Sequence, residues 1–208
     1  MTDLTDFEKL SDETAETLRY YQKNAAAFAA STGDVDFSET QNRFLKYMMP
    51  GSLILDFGCG SGRDSKHFLD LGYSVEAVDG SPEMCSIAAA FTGLPVRCLL
   101  FQDLDEKEKY DGIWACSSIL HLTGKDLADV FSKTARALKN GGVMYTSFKC
   151  GTFEGIRTGR QFTDMTEGSL KDFIEETDVF TIRELWVSAD VRPGREEEKW
   201  VNVILEKK

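Results

Sequence analysis

The sequence predicts an α/β fold with a mostly parallel sheet wound by helices on both faces, and three features predict it. An apolar run at 53–55 ends in Asp56, then in glycines at 58, 60 and 62, then in a helix-like stretch. This strand–helix alternation recurs five times between residues 53 and 148. The last two apolar stretches then follow one another with no helix between them, so the chain closes on a hairpin. At 208 residues the chain reads as one domain, with 51–208 as its core and 1–50 as an N-terminal helical cap.

The elements follow in order. Leu18, Tyr21, Ala25 and Phe28 stand near helical spacing, which predicts a helix over 12–30 ended by Gly33. A second helix is predicted over 38–49, with Phe44, Leu45 and Met48 as its apolar face and Pro50-Gly51 as its stop. After the glycines, 64–71 reads as a helix and 74–79 as a strand. Ser81-Pro82 is a helix start, the serine capping and the proline in the first turn, for a helix that runs to Phe91 and stops at Gly93. Strands are predicted over 95–101, 110–116 and 142–148. Between the last two, Thr123 and Asp126 open a helix whose stripe is Leu127, Val130, Phe131, Ala135 and Leu138. A short helix at 168–176 precedes hairpin strands at 179–187 and 200–205. Residues 149–165 and 188–199 read as loops.

Composition sets further bounds. Hydrophobic residues are 42% and charged residues 28%, as in a soluble globular chain. No apolar run approaches the ~18 residues of a membrane span. The start, Met1 to Glu8, is acidic and lacks a basic-then-apolar signal pattern, so a cytoplasmic location is expected. The five cysteines (59, 85, 98, 116 and 150) are odd in number and none has C-x-x-C spacing, so neither zinc nor disulfides are expected. A net charge of −11 argues against a broad nucleic-acid footprint while leaving room for a local basic pocket. Nothing in the sequence fixes an oligomeric state.

The glycine spacing narrows the ligand. A dinucleotide site uses G-x-G-x-x-G, whereas here Arg63 stands where its third glycine would be. No lysine follows at phosphate-loop spacing. Asp56 before the glycines would repel a pyrophosphate but suits a cationic or hydroxylated ligand. Asp79 ends the second strand 17 residues past Gly62, close to the roughly 20 expected of a ribose-binding carboxylate.

With an acid followed by x-G-x-G-x-G at Asp56 to Gly62, the chain resembles the class I S-adenosylmethionine (SAM)-dependent methyltransferases over about residues 40–206. The resemblance implies a seven-stranded Rossmann-like sheet with an antiparallel last strand beside the fifth. It implies SAM as cofactor and S-adenosylhomocysteine (SAH) as product. Ser117-Ser-Ile-Leu-His-Leu122 resembles the family's fourth motif as found where small molecules are methylated, and does not match [DNS]-P-P-[YFW]. Asp56 to Asp64 and Ile119-Leu-His121 are also similar to a small bacterial group that includes tellurite-resistance-type methyltransferases, a likeness that names no acceptor.

From the resemblance, Gly58, Cys59, Gly60 and Gly62 form the loop under SAM, Asp79 binds the ribose with Gly80 and Ser81 beside it, and Asp103 reads the adenine between Gln102 and Leu104. Asp56 orients the loop and reaches toward the methionine ammonium, directly or through water. Arg63 and Tyr21 are candidates for the methionine end, and Cys116 lies at the end of the fourth strand. The N-terminal helices either cover this site or pack on the sheet edge. Methyl transfer is an in-line displacement from a sulfonium, so it needs positioning and a desolvated nucleophile rather than a metal. His121 has the titration range of a general base, or else packs beneath the substrate loop. Tyr20, Ser117 and the arginines Arg157, Arg160, Arg192 and Arg195 are candidates to meet a small-molecule acceptor, with an anionic substrate or the methionine carboxylate as their target. The alternatives are an RNA or protein methyltransferase and a SAM-binding protein without transferase activity. A nicotinamide oxidoreductase is disfavoured by Arg63.

Overall fold

The structure is a computed structural model that describes residues 10–208. The acidic start read above as lacking a signal lies outside the described residues. Seven strands form one sheet in the order β3-β2-β1-β4-β5-β9-β8. Strands β1 (Leu53–Phe57), β2 (Ser74–Asp79), β3 (Val96–Cys98), β4 (Tyr110–Ala115) and β5 (Leu138–Lys149) are mutually parallel. Strand β9 (Lys199–Lys207) runs antiparallel between β5 and the edge strand β8 (Phe180–Ala189). This is the doubly wound sheet and terminal hairpin that the sequence predicts, with the antiparallel last strand inserted beside the fifth as the resemblance implies.

The central strands are apolar on both faces because both faces are covered. Leu55, Phe57, Ile113 and Phe148 point into a core shared with α5 (Gly124–Ala137) and α6 (Glu167–Thr177). Their neighbours Ile54, Trp114 and Tyr145 point the other way, toward Phe68 of α3 (Arg63–Asp70) and Phe44 of α2 (Ser38–Leu45). Helix starts follow the predicted caps: Ser81 Oγ accepts from the Met84 N–H at the head of α4 (Pro82–Thr92), and Thr123 Oγ1 accepts from that of Asp126.

Helix α1 (Asp12–Thr32) matches its apolar spacing, whereas α2 stops at Leu45 instead of Met49. There the N–H groups of Tyr47 and Met48 bond three residues back, tightening the chain so that Met48 drops onto Gly112. Strand β3 is shorter than predicted. It is an edge strand with β2 as its one neighbour, and the chain curls into a 3-10 turn at Phe101–Asp103. The largest departure is at 149–165. Instead of a loop, it holds a separate hairpin of β6 (Glu154–Arg157) and β7 (Arg160–Thr163). Thr158 and Gly159 both have positive φ (52° and 77°), which joins the two strands by a two-residue turn with Arg157 opposite Arg160.

Gly62 begins α3 in the left-handed region (φ 84°), and a Cβ there would come within 2.8 Å of Thr92 Cγ2 and 3.2 Å of Ala88 Cβ. The third glycine thus lets the start of α3 lie against α4. We predict that Gly62→Ala destabilises the protein by about 2–4 kcal/mol, from left-handed backbone strain and overpacking together. Thr92→Ser, which removes the clashing methyl and keeps the hydroxyl, should restore part of the loss in the double variant. Thermal unfolding of the two proteins checks this, and equal stability of Gly62→Ala and wild type would contradict it.

Candidate active site

A cavity of about 790 Å³ opens over the carboxyl ends of the parallel strands, the position where ligands meet open α/β sheets. Its floor is the glycine loop. Asp79 ends β2 half-buried, and its carboxylate is fixed by two backbone donors: Gly60 N–H at 3.0 Å and Ser81 N–H at 2.9 Å. Burial pushes its pKa up, and these bonds oppose the rise. A Cβ on Gly60 would meet only Met84 Cε, at 3.7 Å, so bare backbone faces the cavity there. Gly58 has φ 87°, and any Cβ would fall 2.4 Å from Ser118 Cβ, so the turn after β4 lies directly on the loop. Ser118 Oγ completes that contact by donating to the Phe57 carbonyl at 2.7 Å.

Beneath the loop the carboxylates take different positions from those expected. Asp56 is buried, accepts from Ser65 Oγ at 2.6 Å and does not line the cavity. Burial first, then the charge of Asp64, raises its pKa. It therefore anchors the loop to α3, and its carboxyl offers no direct contact to a methionine ammonium. Arg63 likewise grips Asp64 with Nε and Nη2, at 2.8 and 2.9 Å, rather than holding its fork open to a ligand. Asp64 also accepts from Gln41 Nε2 at 2.7 Å and Trp114 Nε1 at 2.8 Å. Burial would raise the Asp64 pKa, but Arg63 and these donors outweigh it and hold the carboxyl below its ordinary value.

At the end where the resemblance leads one to expect adenine, the wall is Leu100, Phe101 and Gln102. Asp103 is exposed and Leu104 belongs to the core, so neither lines the cavity. The reason is the 3-10 turn, which carries Asp103 outward while Lys133 Nζ holds the Gln102 carbonyl. Gly62 and Ser81 also lie outside the lining, one packing helices and the other capping α4. Cys59, Gly80, Cys116 and Ser117 do line it.

The other end is roofed by α1 and the β6–β7 hairpin. Thr17 Oγ1 of α1 accepts from the Gln161 N–H at 2.9 Å, and Thr163 Oγ1 donates to the Leu122 carbonyl at 2.7 Å. His121 lies between, 8% exposed. Its Nδ1 is 2.6 Å from the Gln161 carbonyl oxygen, which can only accept, so Nδ1 carries the proton. Nε2 then accepts from the Tyr21 hydroxyl at 2.9 Å. Burial pushes the His121 pKa down to about 4, with Arg160 and Arg157 adding to the effect and the Gln161 bond opposing it. Tyr21 is raised, chiefly by burial, against the pull of Arg160. Of the two N-terminal helices, α1 walls the cavity, whereas α2 packs on the sheet through Phe44.

Sequence reasoning missed Asp164 and Asp190 as partners of the arginines, whereas Glu198 lies in the acidic run 196–198 that it offered as a partner for the neighbouring arginines. Arg157 forms a two-pronged pair with Asp164 at 3.0 and 2.9 Å. Arg192 holds Asp190 with Nε at 2.9 Å, and Arg195 stands 3.6 Å from Glu198. Despite burial, Arg192 and Trp200 keep the Asp190 pKa far below its ordinary value. Tyr20 is outside the lining but lies under the Arg160 guanidinium, 4.3 Å from its ring centre.

His121 generates a prediction on stability. Its folded pKa of about 4 lies below the ~6.5 of an unfolded histidine, so between those values the unfolded chain binds more protons. Stability should therefore fall as pH drops from 7 to 4, with His121 contributing up to about 3 kcal/mol of the fall. His121→Asn, which cannot titrate, should show a shallower slope in urea melts over this window. Parallel slopes for both proteins would refute the assignment.

Comparison with known proteins agrees with this fold. Residues 54–142 match the family model described as "Methyltransferase domain". The ubiquinone biosynthesis O-methyltransferase of Nitrobacter winogradskyi is 33% identical over 106 residues, which are 48% of this chain and 39% of that relative, so the chain spans about two-fifths of its length. The Burkholderia thailandensis 1,6-didemethyltoxoflavin-N1-methyltransferase, solved with 1,6-didemethyltoxoflavin and SAH, superposes with a TM-score of 0.68 at 20% identity, over 91% of this chain and 89% of the other. The N-methyltransferase NodS of Bradyrhizobium japonicum, solved with SAH, gives 0.68 at 13% identity, over 89% and 97%.

Proposed function

We propose that this chain is a class I SAM-dependent methyltransferase that transfers a methyl group from SAM to a small-molecule acceptor, a reading supported by its fold and by the domain match at 54–142. The single observation that carries the cofactor reading is Asp79, whose carboxylate two backbone N–H groups aim into a cavity with bare glycine backbone beside it. An acid so held is suited to a pair of ribose hydroxyls. Phe101 and Gln102, rather than Asp103, would flank the adenine, and Gly58 to Gly60 would lie under the amino-acid end.

When bound, SAM supplies an electrophilic methyl group on a sulfonium with a good leaving group. The protein's part is to position and desolvate the nucleophile and to take its proton. Neutral His121 is the proton's destination. An acceptor hydroxyl can give its proton to Tyr21 Oη as Tyr21 passes its own to His121 Nε2, and the Gln161 carbonyl steadies the imidazolium that results. A small acceptor is favoured over a nucleic acid because most of the cavity's arginines already face carboxylates, leaving no basic track for a polyanion. No helix among the described residues is long and apolar enough to cross a membrane. The free thiols suit a reducing compartment, and we place the protein in the cytoplasm.

Calorimetric titration with SAM, SAH and NADH tests the cofactor. Micromolar binding of SAM and SAH without NADH binding is the expected result, and well-folded protein that ignores SAM would overturn the reading. Asp79→Ala should weaken SAM at least tenfold, roughly the 1.4 kcal/mol of a charge-assisted hydrogen bond. Unchanged affinity in the folded variant would remove Asp79 from the site.

A further inference from the structure

Five arginines line the cavity, and four of them have a carboxylate within 4 Å: Arg63 has Asp64, Arg157 has Asp164, Arg192 has Asp190 and Arg195 has Glu198. Arg160 has none among the described residues. Its Nη1 donates to the Tyr21 hydroxyl at a long 3.5 Å, its Nη2 to Thr158 Oγ1 at 3.3 Å, and its Nε is buried without a hydrogen-bond partner. The guanidinium rests on aromatic faces, 4.3 Å from the Tyr20 ring centre and 5.1 Å from that of Phe162. Such faces attract a cation but accept few hydrogen bonds, and a cation drawn from water without a counter-ion is costly. The two-residue turn sharpens the contrast, since Arg157 and Arg160 are paired across it and only Arg157 is neutralised.

We infer that Arg160 seats a carboxylate of the methyl acceptor, which makes the preferred acceptor a small monoanion; this rests on the methyltransferase reading above. A guanidinium fork matches a carboxylate's two oxygens and keeps its charge at every relevant pH. Among the described residues Arg160 is the one lining arginine without a carboxylate, and the other lining cation without one, Lys199, is exposed and donates to the Glu196 carbonyl, so the cavity calls for a single negative charge at Arg160. Arg160 stands beside the Tyr21–His121 pair, so the bound carboxylate and the reacting group belong to one short molecule.

The test uses three acid–amide pairs as probes: benzoate with benzamide, phenylacetate with phenylacetamide, and hexanoate with hexanamide. Their affinities for the full chain are measured by calorimetry, with and without saturating SAH. At least one acid should bind tenfold or more tightly than its amide. Arg160→Gln should erase that preference and Arg160→Lys keep part of it, while SAH affinity and the melting curve of the lysine variant stay at wild-type values. No acid preferred over its amide, including no binding by either, overturns the inference, as does a preference that survives in Arg160→Gln. Failure of SAH to bind wild type would show in the first titration and would sink the methyltransferase reading separately, while the SAH-free comparison still decides on Arg160.

Discussion

The floor of the cavity depends on one buried carboxylate. Asp64, 7% exposed, accepts four hydrogen bonds from Arg63, Gln41 and Trp114. These donors come from the start of α3, from α2 and from β4, so a single side chain fixes where the glycine loop ends relative to the sheet. Removing one partner of such a set leaves a charge buried and unmatched, which is far costlier than losing a surface pair. The aromatic packing around Trp114, stacked on Tyr145 at 4.2 Å and edge-on to Phe44 at 5.3 Å, covers the side of this network that faces away from the cavity.

The roof is held by a different logic. Gln161 gives its N–H to Thr17 of α1 and its carbonyl to His121, so one residue of the β6–β7 hairpin joins the N-terminal helix to the turn after β4. The tautomer of His121, and hence what it can do with a proton, is decided by this backbone carbonyl. The same hairpin carries Arg160, which has no counter-ion among the described residues. This end of the cavity is thus built from segments far apart in sequence, and its electrostatics follow from which carboxylates reach which arginines. A chain of net charge −11 can present a locally cationic seat because its surplus acids lie elsewhere on the surface.

Much of the fold and of the glycine loop that floors the cavity was legible in the sequence, since these rest on local signals. The alternation of apolar runs, the caps at Ser81 and Thr123, and the glycines flanked by Asp56 and Asp79 each act within a few residues of themselves. The hairpin at 154–163 was harder to read because Thr-Gly is a weaker turn signal than Asn-Gly or Asp-Gly, and its strands are only four residues each. Asp103 misled because a strand continued to 101 would have presented it to the ligand, whereas the edge strand ends at Cys98.

By itself the sequence determined the doubly wound sheet, the terminal hairpin and the carboxylate at the end of β2. Hydrophobic periodicity and backbone permissiveness are properties of neighbouring residues, and they need no knowledge of the rest of the chain. Only the tertiary structure decided that Asp56 meets Ser65 beneath the cavity, that Arg63 is occupied by Asp64, and that Arg160 is the cavity arginine with no acid beside it among the described residues. Charge pairing acts through space over a few ångströms, between residues up to dozens of positions apart, so composition records the charges while folding alone assigns their partners.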